Sequence, residues 1–552
     1  MLVRGTVFNV LGHGVPLLVA VVCLPTVVGG YGTERFGVLA LSWTVLGTLA
    51  TFDFGMGRAS ARHLGAAISG GTIQDVPRIL GTSLLTAAVV GTLSGALLGA
   101  LAPVLVIDVF GMPAALQAEG AATLRWTGVA IPLLLLSSSL QNALHVAQRF
   151  DRASTILIFS VSSHYVVPAV GAMADWTLPT TVSVIVCLKA VALVALWKLI
   201  RRHCPGLAGR RMTADWETLR YLARYGSWLA VSSLMMPVLK QSERLLIPAL
   251  VSVNALTFYS IPYEAMSRAA ILPISMAMAL FPTFSTRGGA DRRVVTDLIV
   301  KPVRYLLLLM TPILTFAGVF ANELLSTWMG PSFALEAAAP LQLLAAAFYF
   351  NAFSTILRSA VQGLGRPDLK AALDIVNAVL FLAALLALTP VLGIRGAATA
   401  RLMISVVECG GLVMLVSRAS KLHLLTIPRA LRRDLVLALT FIVGGAATAA
   451  PFDDSRYAYV AFACIACSYF YGFWSSLADR TDKLAVAYAM SLFTHPLASA
   501  RLEQAEGYAH LDTAGGAATQ LESLVRHGCE QNAAAVRVVD VPSAVKESAV
   551  RE

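Results

Sequence analysis

Charged residues are scarce in this chain. Asp, Glu, Lys and Arg make up 13% of its 552 residues, whereas hydrophobic residues make up 57%. A typical soluble domain carries about 25% charged residues, so this composition excludes an ordinary water-soluble protein. The mean hydropathy of +0.73 agrees. The scarcity of charge therefore predicts an integral membrane protein.

The sequence also lacks the short motifs that mark common enzymes. It contains no G-x-x-x-x-G-K-[S/T], no H-E-x-x-H and no G-x-S-x-G. Without a nucleotide-binding loop, the chain has no site of its own for hydrolysing ATP. The seven cysteines form no pair in an outer loop, and the C-x-x-C of Cys464 and Cys467 lies within an apolar run. We expect no enzyme activity, no cofactor and no metal.

Long apolar segments are what the chain does have. About fourteen of them, each about 18–25 residues long, fill the sequence from Thr6 to about Leu477. A helix rises about 1.5 Å per residue and a bilayer core is about 30 Å thick, so each segment can cross it. The expected spans are 6–28, 36–57, 79–107, 122–147, 153–174, 180–200, 225–250, 257–284, 303–325, 337–362, 370–392, 396–417, 435–451 and 457–477.

A faint internal repeat predicts how these spans are grouped. Pro16 precedes Pro237 by 221 residues, and the segment at Val146 precedes a similar one at Ala360 by 214. Repeated bundles are typical of alternating-access carriers. The predicted fold is all-α, with two six-helix lobes around a central cavity and two additional helices. The expected boundaries are a first lobe at 1–200, a basic cytoplasmic linker at 201–224, a second lobe at 225–418, helices 13 and 14 at 435–477, and a partly disordered cytoplasmic tail at 479–552.

The basic residues predict the orientation. One set of alternate loops carries twenty-one Lys and Arg residues, whereas the other set carries only Arg35, Arg395 and Arg456. Loops rich in Lys and Arg stay in the cytoplasm, so both termini are predicted to be cytoplasmic. The net charge of +11 is explained by this distribution rather than by binding to nucleic acid.

Several ionisable residues lie deep in the predicted spans, where a charge costs about 2.5–3.5 kcal/mol. Five are cations and three are acids: Lys189, Lys240, Arg244, Arg268 and Arg401, with Glu243, Glu264 and Glu408. Pairing within or between helices, such as Glu264 with Arg268, is the plainer interpretation. Because pairing cannot neutralise the whole set, the cations are candidates for binding an anion in a water-filled cavity. The acids are candidates for ion coupling. His164 is expected to be a structural histidine.

Short stretches of the chain resemble the Wzx-type polysaccharide flippases. They include Tyr31-Gly-Thr-Glu-Arg-Phe-Gly37, Asp53-Phe-Gly-Met-Gly-Arg58, Gly363-Leu-Gly-Arg-Pro-Asp368 and Gly393-Ile-Arg-Gly396. These flippases belong to the multidrug/oligosaccharidyl-lipid/polysaccharide (MOP) exporter superfamily. The resemblance covers residues 1–480 approximately and transfers no site residue, because the family has no strict catalytic signature.

The resemblance implies a multi-pass protein of the bacterial inner membrane. It implies that an undecaprenyl-pyrophosphate-linked oligosaccharide moves from the inner to the outer leaflet, with membrane lipids and polysaccharide polymerase or export machinery as partners. Alternatives are a cation-coupled multidrug exporter, for which acids should exceed cations, and a flippase for the peptidoglycan precursor. A membrane glycosyltransferase, polymerase or ligase would need a larger outer loop.

Overall fold

Helices make up the described parts of the chain. The computed structural model describes residues 2–51, 60, 63–65, 67–68, 70, 72–146, 150–204, 207, 212–220, 239, 241–287, 292–420, 431–448 and 455–476, and no strand occurs among them. The helices are α1 Leu2–Thr51, α2 Val76–Val104, α3 Ala114–Val146, α4 Phe150–Met173, α5 Leu178–His203, α6 Val253–Ala269, α7 Ile271–Arg287, α8 Arg292–Val319, α9 Ala321–Met329, α10 Pro331–Gly363, α11 Pro367–Ala419, α12 Arg432–Ala447 and α13 Ser455–Ser476. Residues 241–250 are also helical.

Two of these helices are each made of two arms joined at a single glycine. α1 leaves helical geometry at Gly32 (φ 75°, ψ 166°), and α11 does so at Gly393 (φ 59°, ψ −139°). Positive φ suits glycine because it has no Cβ. In α11 the arms lie close together, since a Cβ added at Gly396 would be 2.1 Å from the backbone oxygen of Leu388. The predicted turns between spans 1 and 2 and between spans 11 and 12 lie at these glycines.

Among the described residues, eight helical stretches are long and apolar enough to cross a membrane. Two of them, Val15–Leu49 and Asp368–Ala419, contain the glycine breaks and exceed the length of one crossing. The prediction of an all-α, multi-pass membrane protein is therefore confirmed. The exact number of fourteen crossings stays a prediction.

Helix packing follows two groups. α2 packs on α3, while α1 packs on α3 and α4, and α5 packs on the same two helices. In the other group, α6, α7, α8, α9 and α11 all pack on α10. α1 also packs on α6 and so connects the groups. The chain divides by packing after Tyr471, and both helix groups lie within Met1–Tyr471. The lobe boundaries stay a prediction, and the predicted tail at 479–552 lies outside the described residues.

The described part of the basic linker lies against the start of α2. α5 extends three residues into the predicted linker before it ends at His203. Farther along, the backbone N–H of Asp215 donates to Thr82 Oγ1 at 3.1 Å, and Arg78 Nε lies 3.6 Å from the Asp215 carboxylate. That carboxylate also accepts from the backbone N–H and the hydroxyl of Thr218. Hydrogen bonds and charge therefore hold this segment to the first helix group.

Candidate substrate cavity

A cavity of about 510 Å³ lies between α1, α3, α4, α5, α6 and the 241–250 helix. Its apolar lining comes mainly from Leu24, Phe36 and residues 133–135, and its polar lining includes Ser137, Ser138, Gln141, Gln241 and Ser260. The charged side chains that line it are Lys189, Arg244 and Glu264. Cavities inside membrane bundles are where charged groups avoid contact with lipid. This cavity is therefore the candidate functional site.

Lys189 lies on α5 and is 5% exposed. It lines the cavity, and it has no ion-pair partner among the described residues. An ammonium group offers three hydrogen-bond donors and no acceptor. Burial without a nearby acid leaves its charge uncompensated by the described protein. Lys189 is thus the candidate cation best placed to receive an anion.

Arg244 also lines the cavity, but it is partly engaged. Its Nη1 lies 3.9 Å from Glu264 Oε2, and its guanidinium carbon lies 4.6 Å from the centre of the Tyr263 ring. The first contact is at the limit of an ion pair, and the second is a cation–π contact. Its buried Nε has no hydrogen-bond partner in the described structure. Arg244 therefore retains donor capacity.

Arg268 is held more firmly. It forms an ion pair with Glu264, four residues earlier on α6, and its Nη2 donates to the Tyr165 hydroxyl at 3.1 Å. The Tyr165 hydroxyl lies 3.4 Å from Glu264 Oε1. The pairing of Glu264 with Arg268 that their spacing suggested is thus present. Glu264 thus has two arginines around it, of which Arg244 lines the cavity, and Lys189 lines the cavity as a further cation.

Among the described site residues, Arg268, Arg401, Glu243 and Glu408 are not part of the cavity lining. Arg401 on α11 pairs with Glu243, and its guanidinium carbon lies 4.3 Å from the centre of the Phe381 ring. Glu408 pairs with Arg358 of α10 through an Nη2–Oε1 distance of 2.5 Å. Each acid proposed for ion coupling is therefore in an ion pair. Lys240 lies outside the described residues.

His164 lines the cavity beside these groups. Its Nδ1 lies 3.2 Å from the backbone oxygen of Ser160, one turn earlier on α4. The Trp43 ring makes edge contacts with both His164 and Tyr165, with centroids 6.3 Å and 5.7 Å away. These contacts fix the imidazole within the cavity wall, in line with the structural role expected for it.

Contacts join the two helix groups at the end of the bundle that is predicted to face outward. Thr257 Oγ1 donates to the backbone oxygen of Thr33 at 2.6 Å, next to the Gly32 turn. Trp328 Nε1 donates to the backbone oxygen of Val21 at 2.8 Å. Gly37 approaches Val253 so closely that an added Cβ would lie 2.2 Å from the Val253 oxygen. These contacts join the two helix groups at one end of the cavity.

A family model described as "Polysaccharide biosynthesis protein" matches residues 2–287, which is more than half of the chain. The chain belongs to the polysaccharide biosynthesis protein family. Its predicted membership of the Wzx-type flippases in the MOP superfamily is confirmed. The matched residues include the elements that line the cavity, namely α1, α3, α4, α5, the 241–250 helix and α6.

Relatives of this polysaccharide biosynthesis protein agree with that membership. A protein of Shigella flexneri named for O-antigen transport is 23% identical over 397 residues, which is 72% of this chain and 93% of the relative. An inward-facing MATE family multidrug transporter of the MOP superfamily has 13% identity and a TM-score of 0.64, over 74% of this chain and 96% of its own. The lipid II flippase MurJ has 11% identity and a TM-score of 0.61, over 86% and 100%. The two structures show the transporter fold.

The sequence interpretation missed two features of this family member's interior. Arg358 was not among the buried cations, although it pairs with Glu408. It lies near the end of span 337–362, where an arginine can also reach the membrane surface. The uncharged polar side chains of the cavity wall were missed as well. Their signal was present, since Ser137, Ser138 and Gln141 lie at i, i+1 and i+4 on one helix face.

Proposed function

We propose that this protein flips an undecaprenyl-pyrophosphate-linked oligosaccharide from the inner to the outer leaflet of the bacterial inner membrane by alternating access. The observation that carries the proposal is the surplus of cations at the cavity. Lys189 and Arg244 line it, and the acid that lines it with them is Glu264, which is also paired with Arg268 behind the lining. A pyrophosphate would compensate that charge, and its oxygens would accept hydrogen bonds from the N–H groups that have no partner in the described protein.

The placement of Lys189 supports an anionic substrate in particular. An isolated buried ammonium is unfavourable unless an opposite charge accompanies it. A hydrogen bond to a charged group contributes about 1.5–3 kcal/mol. Binding of an anion beside Lys189 would thus recover part of the cost of burying that charge. The bound substrate would supply the opposite charge that the described protein does not place beside Lys189.

The contacts between Thr257 and Thr33 and between Gly37 and Val253 support the alternating-access part of the proposal. They close the end of the cavity that is predicted to face outward. A glycan that crosses the bilayer must leave through this end, so these contacts must break in each cycle. The lipid chain of the substrate would remain in the surrounding bilayer.

Ion coupling through Glu243, Glu264 and Glu408 remains part of the proposal. All three carboxylates lie next to arginines: Glu243 next to Arg401, Glu264 next to Arg268, and Glu408 next to Arg358. A proton can neutralise such a carboxylate only if the arginine is left with another partner, because an unpaired buried charge is costly. A coupled cycle would therefore exchange these ion pairs.

Of the two alternative functions, a drug exporter fits the charge of the cavity less well, and a peptidoglycan-precursor flippase fits it equally well. A carrier of cationic drugs needs an acidic cavity, and here the cations exceed the acid that lines it. A peptidoglycan-precursor flippase would also need a cationic cavity, so its substrate must be tested directly. Polymerase or export machinery as a partner stays a prediction from family resemblance.

The decisive experiment measures the sidedness of the lipid-linked oligosaccharide in cells that lack this chain. We expect accumulation on the cytoplasmic leaflet and relief by the intact gene. Lys189→Gln should restore about tenfold less flipping, given the size of a charged hydrogen bond. Lys198→Gln is the matched control, because Lys198 lies on the same helix but is exposed.

Three results would count against the proposal. One is a normal outer-leaflet pool without the chain. Another is accumulation of the peptidoglycan precursor in place of the oligosaccharide. The third is full complementation by Lys189→Gln at normal protein levels, which would remove the cationic cavity from the mechanism.

A further inference from the structure

The wall that α3 contributes to the cavity changes character along the helix. Residues 133–135 are leucines, and one turn later Ser137, Ser138 and Gln141 line the same cavity. The change runs toward the end of α3 that is predicted to be cytoplasmic. An amide or a hydroxyl in contact with lipid would be unfavourable, so these polar side chains face the cavity and not the bilayer. They carry no charge, unlike Lys189 on α5.

These three side chains make no hydrogen bond within the described structure. Hydroxyls in membrane helices normally bond to a backbone oxygen one turn earlier. Thr44, which lines the cavity from α1, does so with Ala40 at 2.8 Å. Ser137, Ser138 and Gln141 differ from it, and their donors and acceptors remain available to a molecule in the cavity.

A second observation comes from α6 and the 241–250 helix, which complete the cavity. Ser260 on α6 is 8% exposed, yet its hydroxyl has no partner among the described residues. The side-chain oxygen of Gln241 is likewise buried and unpartnered there. Both residues line the cavity. Buried polar atoms without partners are uncommon, so a bound molecule is the natural source of the missing bonds.

The chemistry of this set selects a class of ligand. Serine hydroxyls and glutamine amides both donate and accept hydrogen bonds, which suits the hydroxyl and acetamido groups of sugars. Phosphate oxygens only accept, and the cations Lys189 and Arg244 serve them better. We propose that Ser137, Ser138, Gln141, Gln241 and Ser260 form a saccharide subsite that determines which glycan is carried. This inference rests on the proposed flippase function.

The test uses the full-length chain reconstituted in liposomes. One substrate is undecaprenyl pyrophosphate without sugar, and the other is the same lipid carrying the oligosaccharide of the native host. Gln141→Met keeps the volume of the side chain but removes its amide. We expect it to slow transport of the glycosylated lipid about tenfold or more, because sites built to hydrogen-bond a substrate discriminate strongly. Transport of the bare lipid should change less than twofold.

Ser138→Ala is a second and gentler variant, expected to reduce glycosylated transport about threefold, within the range of one neutral hydrogen bond. Ser139→Ala is the matched control, because Ser139 is buried on the same helix but does not line the cavity. Equal loss for both lipids, or no loss for either, would overturn the saccharide subsite. Failure of the unmodified chain to move either lipid would instead overturn the flippase function itself, and the subsite with it.

Discussion

Arg401 donates to Glu243 across 158 residues of sequence, with Nη2 and Nε 2.6 Å and 3.1 Å from the same carboxylate oxygen. The pair joins α11 to the 241–250 helix. The Glu243 side chain is fully buried and that of Arg401 is 12% exposed. Neither residue lines the cavity. In this structure the pair therefore holds two helices together and does not contact the space where a substrate would bind.

Removing one member of this pair should destabilise the fold. Glu243→Leu leaves the Arg401 guanidinium buried without its acid, which costs about 3–5 kcal/mol in comparable buried pairs. The double variant Glu243→Leu, Arg401→Leu should recover most of that loss, because both charges leave together. Unfolding of the purified variants in detergent measures the effect. If the double variant is no more stable than the less stable single variant, the loss of stability does not come from the unpaired charge.

Gly37→Ala should prevent closure of the outward end. The new Cβ would lie 2.2 Å from the Val253 oxygen, a distance that real Cβ atoms essentially never show. Because the nearest atom belongs to the Val253 backbone and cannot rotate away, α1 and α6 must separate. We expect transport to fall and a cysteine replacing Thr257 to react faster with an impermeant maleimide added outside.

Gly29→Ala provides the control for that experiment. It changes the same helix, but no atom lies within 4 Å of the added Cβ. It should leave both transport and labelling close to those of the unmodified chain. Equal labelling of the Gly37→Ala variant and this control would mean that the close approach at Val253 does not govern closure.

The turn at Gly393 should not tolerate a side chain. Its φ of 59° with ψ of −139° is a region that residues with a Cβ rarely adopt. Such strain costs about 1–3 kcal/mol, so Gly393→Ala should lower the free energy of unfolding by that amount. Gly410→Ala, in the second arm of α11, meets no atom within 4 Å and should be neutral or stabilising by up to about 1 kcal/mol. Chemical denaturation distinguishes the two, and equal stabilities would contradict the strained turn.

Docking of the 212–220 segment should weaken in acid. Hydrogen bonds from the Thr218 backbone, together with its hydroxyl and Arg78, lower the pKa of Asp215 below its ordinary value of 3.8. A lowered folded pKa stabilises docking fully above the ordinary value, and the effect disappears as the pH falls through the folded pKa. At pH 7, Asp215→Asn should therefore speed tryptic cleavage of this segment.

As the pH falls below the ordinary value of 3.8 and through the lowered folded pKa, the two proteins should converge, because the unmodified carboxyl is then increasingly protonated. Pepsin cleavage of the same segment at low pH measures this. A difference that does not narrow as the pH falls below 3.8 would mean that the Asp215 charge is not what holds the segment.

The membrane class and the helical turns could be predicted because they depend on each segment's own composition. A run of apolar residues is stable in lipid wherever it lies in the chain. A glycine can adopt the positive φ that a turn requires whatever packs around it. The Glu264–Arg268 pair could be predicted for the same reason, since one helical turn determines their contact.

The long-range pairs could not be predicted in this way. Arg401 and Glu408 lie seven residues apart on α11, yet each pairs with a different element, Arg401 with Glu243 and Glu408 with Arg358. Their partners depend on how each helix is rotated and which helices are neighbours, and hydropathy records neither. The polar wall of the cavity was also missed, although its three polar side chains on α3 share one helical face in the sequence.

The pairing of Arg358 with Glu408 has a consequence for how such sequences diverge. A single substitution at either position leaves one buried charge unpaired, whereas a coordinated exchange of both keeps the interior neutral. Descendants of a common ancestor should therefore lose or invert these two positions together. Correlated substitutions at 358 and 408, and at 243 and 401, would then record the three-dimensional arrangement in sequences whose overall identity has fallen too low to show it.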